Sequence, residues 1–339
     1  MARRVTSATF DAPIIITPGD PAGIGAEITL KAFHAGLHDV AVIEDPDRLA
    51  RLAQELGLAI DICEVDETDG IAASDGRLAV LPVEWNNPPA PGTADPQNAP
   101  VVIESIRRAV ALAREGKASA VVTNPINKAV LKAAGFSYPG HTEFLATLSE
   151  PRPGAPTMML ACDELRVVPI TIHIALSDVP EALKSEDIVS KGVLLAESLK
   201  RDFGISDPRI AVCGLNPHAG EDGQFGDEDQ RIVAPAVEGL KSAGIAAFGP
   251  LSADTLFHAE ARKSYDGVLG MYHDQVLIPI KTIDFDGGVN VTLGLDFIRT
   301  SPDHGTAFDI AGTGKANPAS LMAALRMARS MANRRHAPA

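Results

Sequence analysis

Three of the nine histidines occupy equivalent places in the chain. VVPITIH ends at His173, RIAVCGLNPH at His218 and YDGVLGMYH at His273, each after an apolar run of strand length. Parallel strands deliver their C-terminal residues to one edge of a sheet. Three imidazoles there, with Asp274 adjacent, could hold a divalent ion such as Zn²⁺ or Co²⁺. The plainer reading is three hydrogen-bonded loop residues. For one histidine that reading wins; three in the same position favour the metal. The ligands lie too far apart in sequence to form a local metal motif.

Other polar residues fall in similar places. GHTEF sets His141 and Thr142 after a Pro-Gly turn and just before a helix; helix capping by Thr142, with Glu143 in the first turn, accounts for the pattern equally well. Lys281, Asn290 and Arg299 follow within one short segment and would suit a phosphate or carboxylate, or else be solvated surface polarity. Asp274 could orient a ligand or close a turn. Asp254, in SADTLF, is a candidate supporting group. TPGDPAGIGAE follows a strand and opens a helix, the context for anion binding by backbone N–H groups. Its spacing fails the dinucleotide fingerprint, because Ile28 stands where the third glycine belongs. AGTGK lacks Walker A spacing, so turn chemistry accounts for both.

The elements that must position these residues alternate. Strands are expected at 13–17, 39–45 and 77–83, in SAVVTNP, and in the runs that end at the three histidines. Helices are expected in PAGIGAEITLKAFHAG, PDRLARLAQELGL and VVIESIRRAVALAREGKA, where Val102, Ile106, Val110 and Ala113 keep helical spacing. EDIVSKGVLLAESLKRDF, DEDQRIVAPAVEGLKSAG and PASLMAALRMARSMANRR complete the helical set. Alternation of this kind means βαβ units and mainly parallel sheet. NNPPAPGTADPQNAP reads as a loop without chemistry.

At 339 residues the chain suits two subdomains better than one core. A net charge of −14 and one tryptophan argue against a nucleic-acid partner, which demands a basic face and stacking rings. No apolar run approaches a membrane span, and the N-terminus lacks the apolar core of a signal peptide. Three scattered cysteines, Cys63, Cys162 and Cys213, suit a reduced, cytoplasmic setting.

HGTAFDIAGTGKANP (304–318) resembles the cofactor loop of the isocitrate and isopropylmalate dehydrogenase superfamily, which binds NAD(P) without the glycine fingerprint. ITPGDPAGIGAE, TNPINKAVL, GHTEFLA, GLNPHAGEDGQFGDED, GPLSADTLF, GMYHDQ and GVNVTLGLDFIRTS narrow the match. Together, in order along nearly the whole chain, they resemble the 4-hydroxythreonine-4-phosphate dehydrogenase family. That resemblance implies a fold of two α/β/α subdomains with a cleft between them, here about 1–130 plus 300–339 and 131–299. It implies one divalent metal (Zn, Mg or Co) on His173, His218 and His273, with ligands shared across a homodimer. It implies substrate contacts by His141, Thr142, Lys281, Asn290 and Arg299, and NAD or NADP on Gly305, Thr306, Ala307, Asp309 and Asn317. Lys281, beside the substrate, and Asp274, beside His273, are the candidate catalytic residues. The Asp309 assignment, to an adenosine ribose, comes from the wider superfamily.

The implied reaction is oxidation of 4-phosphooxy-L-threonine at C3 followed by decarboxylation, in vitamin B6 synthesis. Rival readings are dehydrogenation of 4-phospho-D-threonate or 4-phospho-D-erythronate on the same scaffold, a phosphate acyltransferase, and a binding module without turnover.

Overall fold

The computed structural model describes residues 12–66, 76–150 and 155–335. The N-terminal segment read as no signal peptide falls largely on residues 1–11, outside the described residues. The strands, in chain order, are β1 (Ile14–Thr17), β2 (Val40–Glu44), β3 (Ile62–Glu64), β4 (Leu78–Pro82), β5 (Ala120–Thr123), β6 (Thr157–Ala161), β7 (Arg166–Pro169), β8 (Arg209–Cys213), β9 (Ala246–Leu251), β10 (Gly267–Gly270), β11 (Val289–Leu293) and β12 (Arg299–Pro302). The chain divides into two compact units, Met1–Pro151 with Leu295–Ala339, and Arg152–Gly294. Against the expected boundaries near 130 and 300, these units divide at 151 and 295, which puts His141, Thr142 and Arg299 in the first. Residues 131–151 belong with the first unit because Phe136, Phe144 and Leu145 pack into its core.

In the first unit the strands run β3-β4-β2-β1-β5-β12. The pairings of β1 with β2 and β5, of β4 with β2 and β3, and of β12 with β5 are all parallel. Ile15, Ala41, Ala79 and Val121 are fully buried, as continuous apolar strands covered on both faces require. The helix Ala99–Arg114 covers the sheet with Val102, Ile106, Ala109 and Val110. Ala113, expected on that face, lies only partly buried against the core. Gly116 follows in left-handed conformation, φ 72, where a Cβ would cost energy.

The second unit runs β11-β6-β7-β10-β8-β9. It is mixed: β6 lies antiparallel to both β7 and β11, while β7, β10, β8 and β9 are parallel. Its own core gathers Leu160, Val167, Ala211, Val268, Val276 and Ile280. All three cysteines are free thiols. No helix among the described residues is long and apolar enough to cross a membrane.

The glycines of TPGDPAGIGAE do turn chemistry. Gly19 has φ 72, and a Cβ there would sit 2.5 Å from the Pro125 oxygen. A Cβ on Gly25 would sit 2.4 Å from the Pro18 oxygen, so only glycine lets the helix Gly25–His34 start beside β1.

Candidate functional site

The three histidines of the second unit come from three adjacent parallel strands, with β10 between β7 and β8. The strands end earlier than the sequence pattern suggests. β7 stops at Pro169, β8 at Cys213 and β10 at Gly270, so His173, His218 and His273 lie on the connections that follow. The apolar run after His273 is a helix, His273–Ile283, with His273 at its first position and Pro279 inside it.

Backbone hydrogen bonds carry the strand pairing outward to these connections. Ile170 N donates to the Gly270 oxygen at 2.7 Å, and Thr171 donates through its hydroxyl to the Met271 oxygen at 2.7 Å. The His173 and His273 rings stand 6.1 Å apart, centroid to centroid. Gln275, unexplained by sequence pattern, has a clear task here. Its buried amide accepts from Met271 N at 2.6 Å and donates to the Gly214 oxygen at 2.7 Å, tying the end of β10 to the loop that carries His218.

That loop is strained. His218, Ala219, Glu221 and Asp222 all have positive φ, between 40 and 54. Non-glycine residues persist there only when surrounding contacts over-determine them. The buried Asp229 carboxylate supplies such contacts, accepting from Leu215 N at 2.6 Å and Asn216 N at 3.0 Å. The His218 ring rests near Phe225, 6.1 Å between centroids. Asp254 is held below the usual carboxylate range by the Ser252 hydroxyl, with His218 close enough to contribute.

Asp274 hydrogen-bonds the His273 Nδ1 at 2.6 Å, which leaves Nε2 as the ring's outward donor atom. The donor set therefore suits a borderline divalent ion. Yet no group of three or more His, Cys, Asp or Glu side chains among the described residues is gathered closely enough to hold one. His173 and His218 are exposed and His273 half-buried. Lys281 lies on the same helix as His273, its ammonium 5.4 Å from the Phe285 ring centre. Asn290 is half-buried on β11, and its Oδ1 is enclosed without a hydrogen-bond partner.

The first unit holds a second cluster. Arg299, 3 % exposed, lies at the start of β12 beside β5. It donates through Nη2 to the Thr123 hydroxyl at 2.6 Å and stands 3.4 Å from the His141 Nδ1. Burial pulls its guanidinium down to about 9, so it keeps its charge at neutral pH. The His141 Nε2 is enclosed without a partner. Burial, then the Arg299 and Lys128 charges, hold that imidazole well below its ordinary 6.5.

A histidine kept neutral in the fold takes up a proton on unfolding at low pH. Stability is thus fully present above about pH 6.5 and lost below it, by up to about 1.4 kcal/mol per pH unit for one proton. His141→Gln is expected to flatten this acid limb. Urea midpoints at about pH 5 and about pH 7 check it; equal pH slopes in the two proteins would overturn the assignment.

Gly140, not Thr142, is the N-cap of the helix His141–Leu148, and no side chain caps that end. The capping alternative for Thr142 therefore drops out. Thr123 and Lys128 both fall in TNPINKAVL, yet sequence pattern gives neither a role: a threonine at a strand end and a lysine starting a helix look ordinary until tertiary structure sets them beside Arg299 and His141.

The loop that follows β12 is tied to the helix Gly25–His34. Ile24 N donates to the Thr306 oxygen at 3.1 Å, Ala316 N to the Glu27 carboxylate at 2.9 Å, and Lys31 to the Gly314 and Ala316 oxygens. Within it Gly305 has open space where a Cβ would be, Ala307 has φ 47, and Asp309 is exposed. The His304 Nε2 is enclosed without a partner, an orphaned polar atom of the kind a bound group satisfies. These features fit a nucleotide cofactor. Asn317 makes a local contact before the closing helix, its Oδ1 accepting from Ala319 N at 3.0 Å.

Comparison with known proteins bears on the chain as a whole. A family model described as pyridoxal phosphate biosynthetic protein PdxA matches residues 37–328. A 4-hydroxythreonine-4-phosphate dehydrogenase of Bradyrhizobium diazoefficiens is 53 % identical over 334 residues, covering 94 % of this chain and 97 % of the relative. One of Xanthobacter autotrophicus is 51 % identical over 330 residues, covering 95 % and 94 %. The crystal structure of 4-hydroxythreonine-4-phosphate dehydrogenase from Klebsiella pneumoniae superposes with a TM-score of 0.86 at 40 % identity, over 95 % of this chain and 99 % of that one. With the family model and full-length relatives in agreement, the chain belongs to the pyridoxal phosphate biosynthetic protein PdxA family.

Proposed function

We propose that the protein oxidises 4-phosphooxy-L-threonine at C3, with NAD or NADP as hydride acceptor, and that decarboxylation follows to give 3-amino-2-oxopropyl phosphate. The observation that carries the reading is the delivery of His173, His273 and His218 by the adjacent parallel strands β7, β10 and β8. Relatives of the same length carry the name of that dehydrogenase.

In this reading His173, His218 and His273 hold a divalent metal, and Asp274 fixes the His273 tautomer. The bound metal supplies Lewis-acid polarisation of oxygen, and the nicotinamide supplies hydride acceptance. The chain's own residues bind and orient. Arg299 and Lys281 meet anionic groups, Thr142 and Asn290 offer hydrogen bonds, and neutral His141 presents Nε2 without adding charge. The loop Gly305–Asn317 receives the cofactor, with exposed Asp309 toward a ribose.

A homodimer that shares the histidines accounts for a triad not gathered within one chain. Ile174, Leu176, Phe225, Ile278 and Phe285 are large apolar side chains left exposed on the same segments as the histidines. Exposed apolar residues concentrated in this way suit burial against a second copy.

The test is NADH or NADPH formation with 4-phosphooxy-L-threonine, 4-phospho-D-threonate and 4-phospho-D-erythronate side by side. We expect kcat/KM to be highest on the first, by at least about tenfold. A higher value on either hydroxy acid would transfer the assignment to that substrate. Acyl transfer to phosphate without cofactor reduction would overturn it altogether.

A further inference from the structure

Lys128 follows β5 and opens the short helix Lys128–Ala133, which Asn127 caps through its Oδ1 to Ala129 N and Val130 N. It is exposed, and it forms no hydrogen bond or ion pair with another described residue. Its place is nonetheless specific. A Cβ built on Gly140 would lie 3.4 Å from the Lys128 Cε and 3.6 Å from its Nζ. Gly140 has φ −174, extended backbone that any residue adopts, so the backbone does not demand a glycine there. The Lys128 ammonium has its berth beside this residue, at the start of the helix His141–Leu148.

That berth adjoins the N-terminus of the helix His141–Leu148. The first N–H groups of a helix have no partner within it, and this end has no side-chain cap. The enclosed, unpartnered His141 Nε2 and the buried Arg299 guanidinium lie at the same end. Glu143 is the acidic group nearby, its Oε2 3.5 Å from the same Gly140 position, and it forms no ion pair with Lys128. Open N–H groups, an orphaned imidazole nitrogen and two cations make a site for a multiply charged anion with several acceptor oxygens.

We propose that Lys128 is a substrate-binding residue, and that with Arg299 and the N-terminus of the helix His141–Leu148 it holds the phosphate monoester of the substrate. This rests on the dehydrogenase reading above and adds which residue selects for the phosphate. A carboxylate has two oxygens and one charge, whereas a phosphate monoester presents three oxygens and close to two charges, matching the donors gathered here. Lysine suits the open side of such a site because it acts as a mobile point charge, while the fork-shaped Arg299 is fixed by burial.

The test is Lys128→Ala, with Lys128→Arg as the charge-conserving control. The side chain is exposed, so both variants are expected to fold. For Lys128→Ala we expect KM for 4-phosphooxy-L-threonine to rise about thirtyfold and far more than kcat falls, with Lys128→Arg recovering most of the loss. Binding of inorganic phosphate to the resting enzyme, followed by calorimetry, should weaken at least about tenfold. Binding of 4-hydroxy-L-threonine, which lacks the phosphate, should not change. An unchanged KM together with unchanged phosphate binding would overturn the proposal, as would an equal penalty on the unphosphorylated compound. Absence of cofactor reduction by the wild-type enzyme would instead strike the dehydrogenase reading, and the phosphate titration would still decide the role of Lys128.

Discussion

Arg299→Met is expected to raise KM for 4-phosphooxy-L-threonine about 100-fold while leaving the melting temperature nearly unchanged. The asymmetry follows from burial. A guanidinium drawn down to about 9 is one the fold carries at a cost, because desolvation disfavours its charged form. Methionine removes that cost and keeps much of the volume. It also deletes hydrogen bonds, among them those from Nε and Nη2 to the Thr123 hydroxyl, at about 1 kcal/mol each. The two effects oppose each other in the unliganded protein. In the complex nothing offsets the lost cation: a charge-assisted pair to an anion contributes about 3 kcal/mol, or two orders of magnitude in affinity. Thermal melts and initial rates on the same preparation check both halves. A large drop in melting temperature with KM unchanged would make Arg299 a framework residue that serves Thr123 and His141.

The second large effect concerns metal content. Single alanine variants at His173, His218 and His273 are each expected to lose bound divalent metal, from about one ion per chain to under about a tenth, and at least about 1000-fold in kcat/KM. Elemental analysis after dialysis against a weak chelator reads the first quantity without reference to activity. Asp274→Asn should weaken metal binding about 10- to 100-fold rather than abolish it, as expected for a group that orients a ligand.

Sharing between two chains can be read by mixing the single variants pairwise through unfolding and refolding. If two histidines come from one chain and the third from its partner, two of the three mixtures regain an intact site in each heterodimer. The mixture that stays empty identifies the two histidines supplied by the same chain. If all three came from one chain, no mixture would regain metal.

Much of this architecture is legible in the sequence. Short, mainly apolar runs such as IIIT and AVVT suit interior strands of a covered sheet, and the helices between them favour parallel pairing. The three strand-then-histidine runs predicted delivery to one sheet edge, and β7, β10 and β8 are adjacent and parallel as that requires. Helical spacing in 101–118 predicted the buried face of the helix Ala99–Arg114.

What the sequence by itself determined, then, was the period and order of the elements and the residue types at their ends, because hydrophobic periodicity and turn chemistry are local. Partnership between distant residues was decided by tertiary structure alone. Nothing local says that the Gln275 amide will bridge to the Gly214 oxygen, that Asp229 will hold a strained loop by two backbone N–H groups, or that Lys128 will lie beside Gly140. The subdomain boundary moved for the same reason. Residues 131–151 carry no signal of which core they join, and packing of Phe136 and Phe144 assigns them to the first unit. Burial, which turns Arg299 from an ordinary surface cation into a costly one poised for an anion, is likewise a property of the folded chain and of no segment of it.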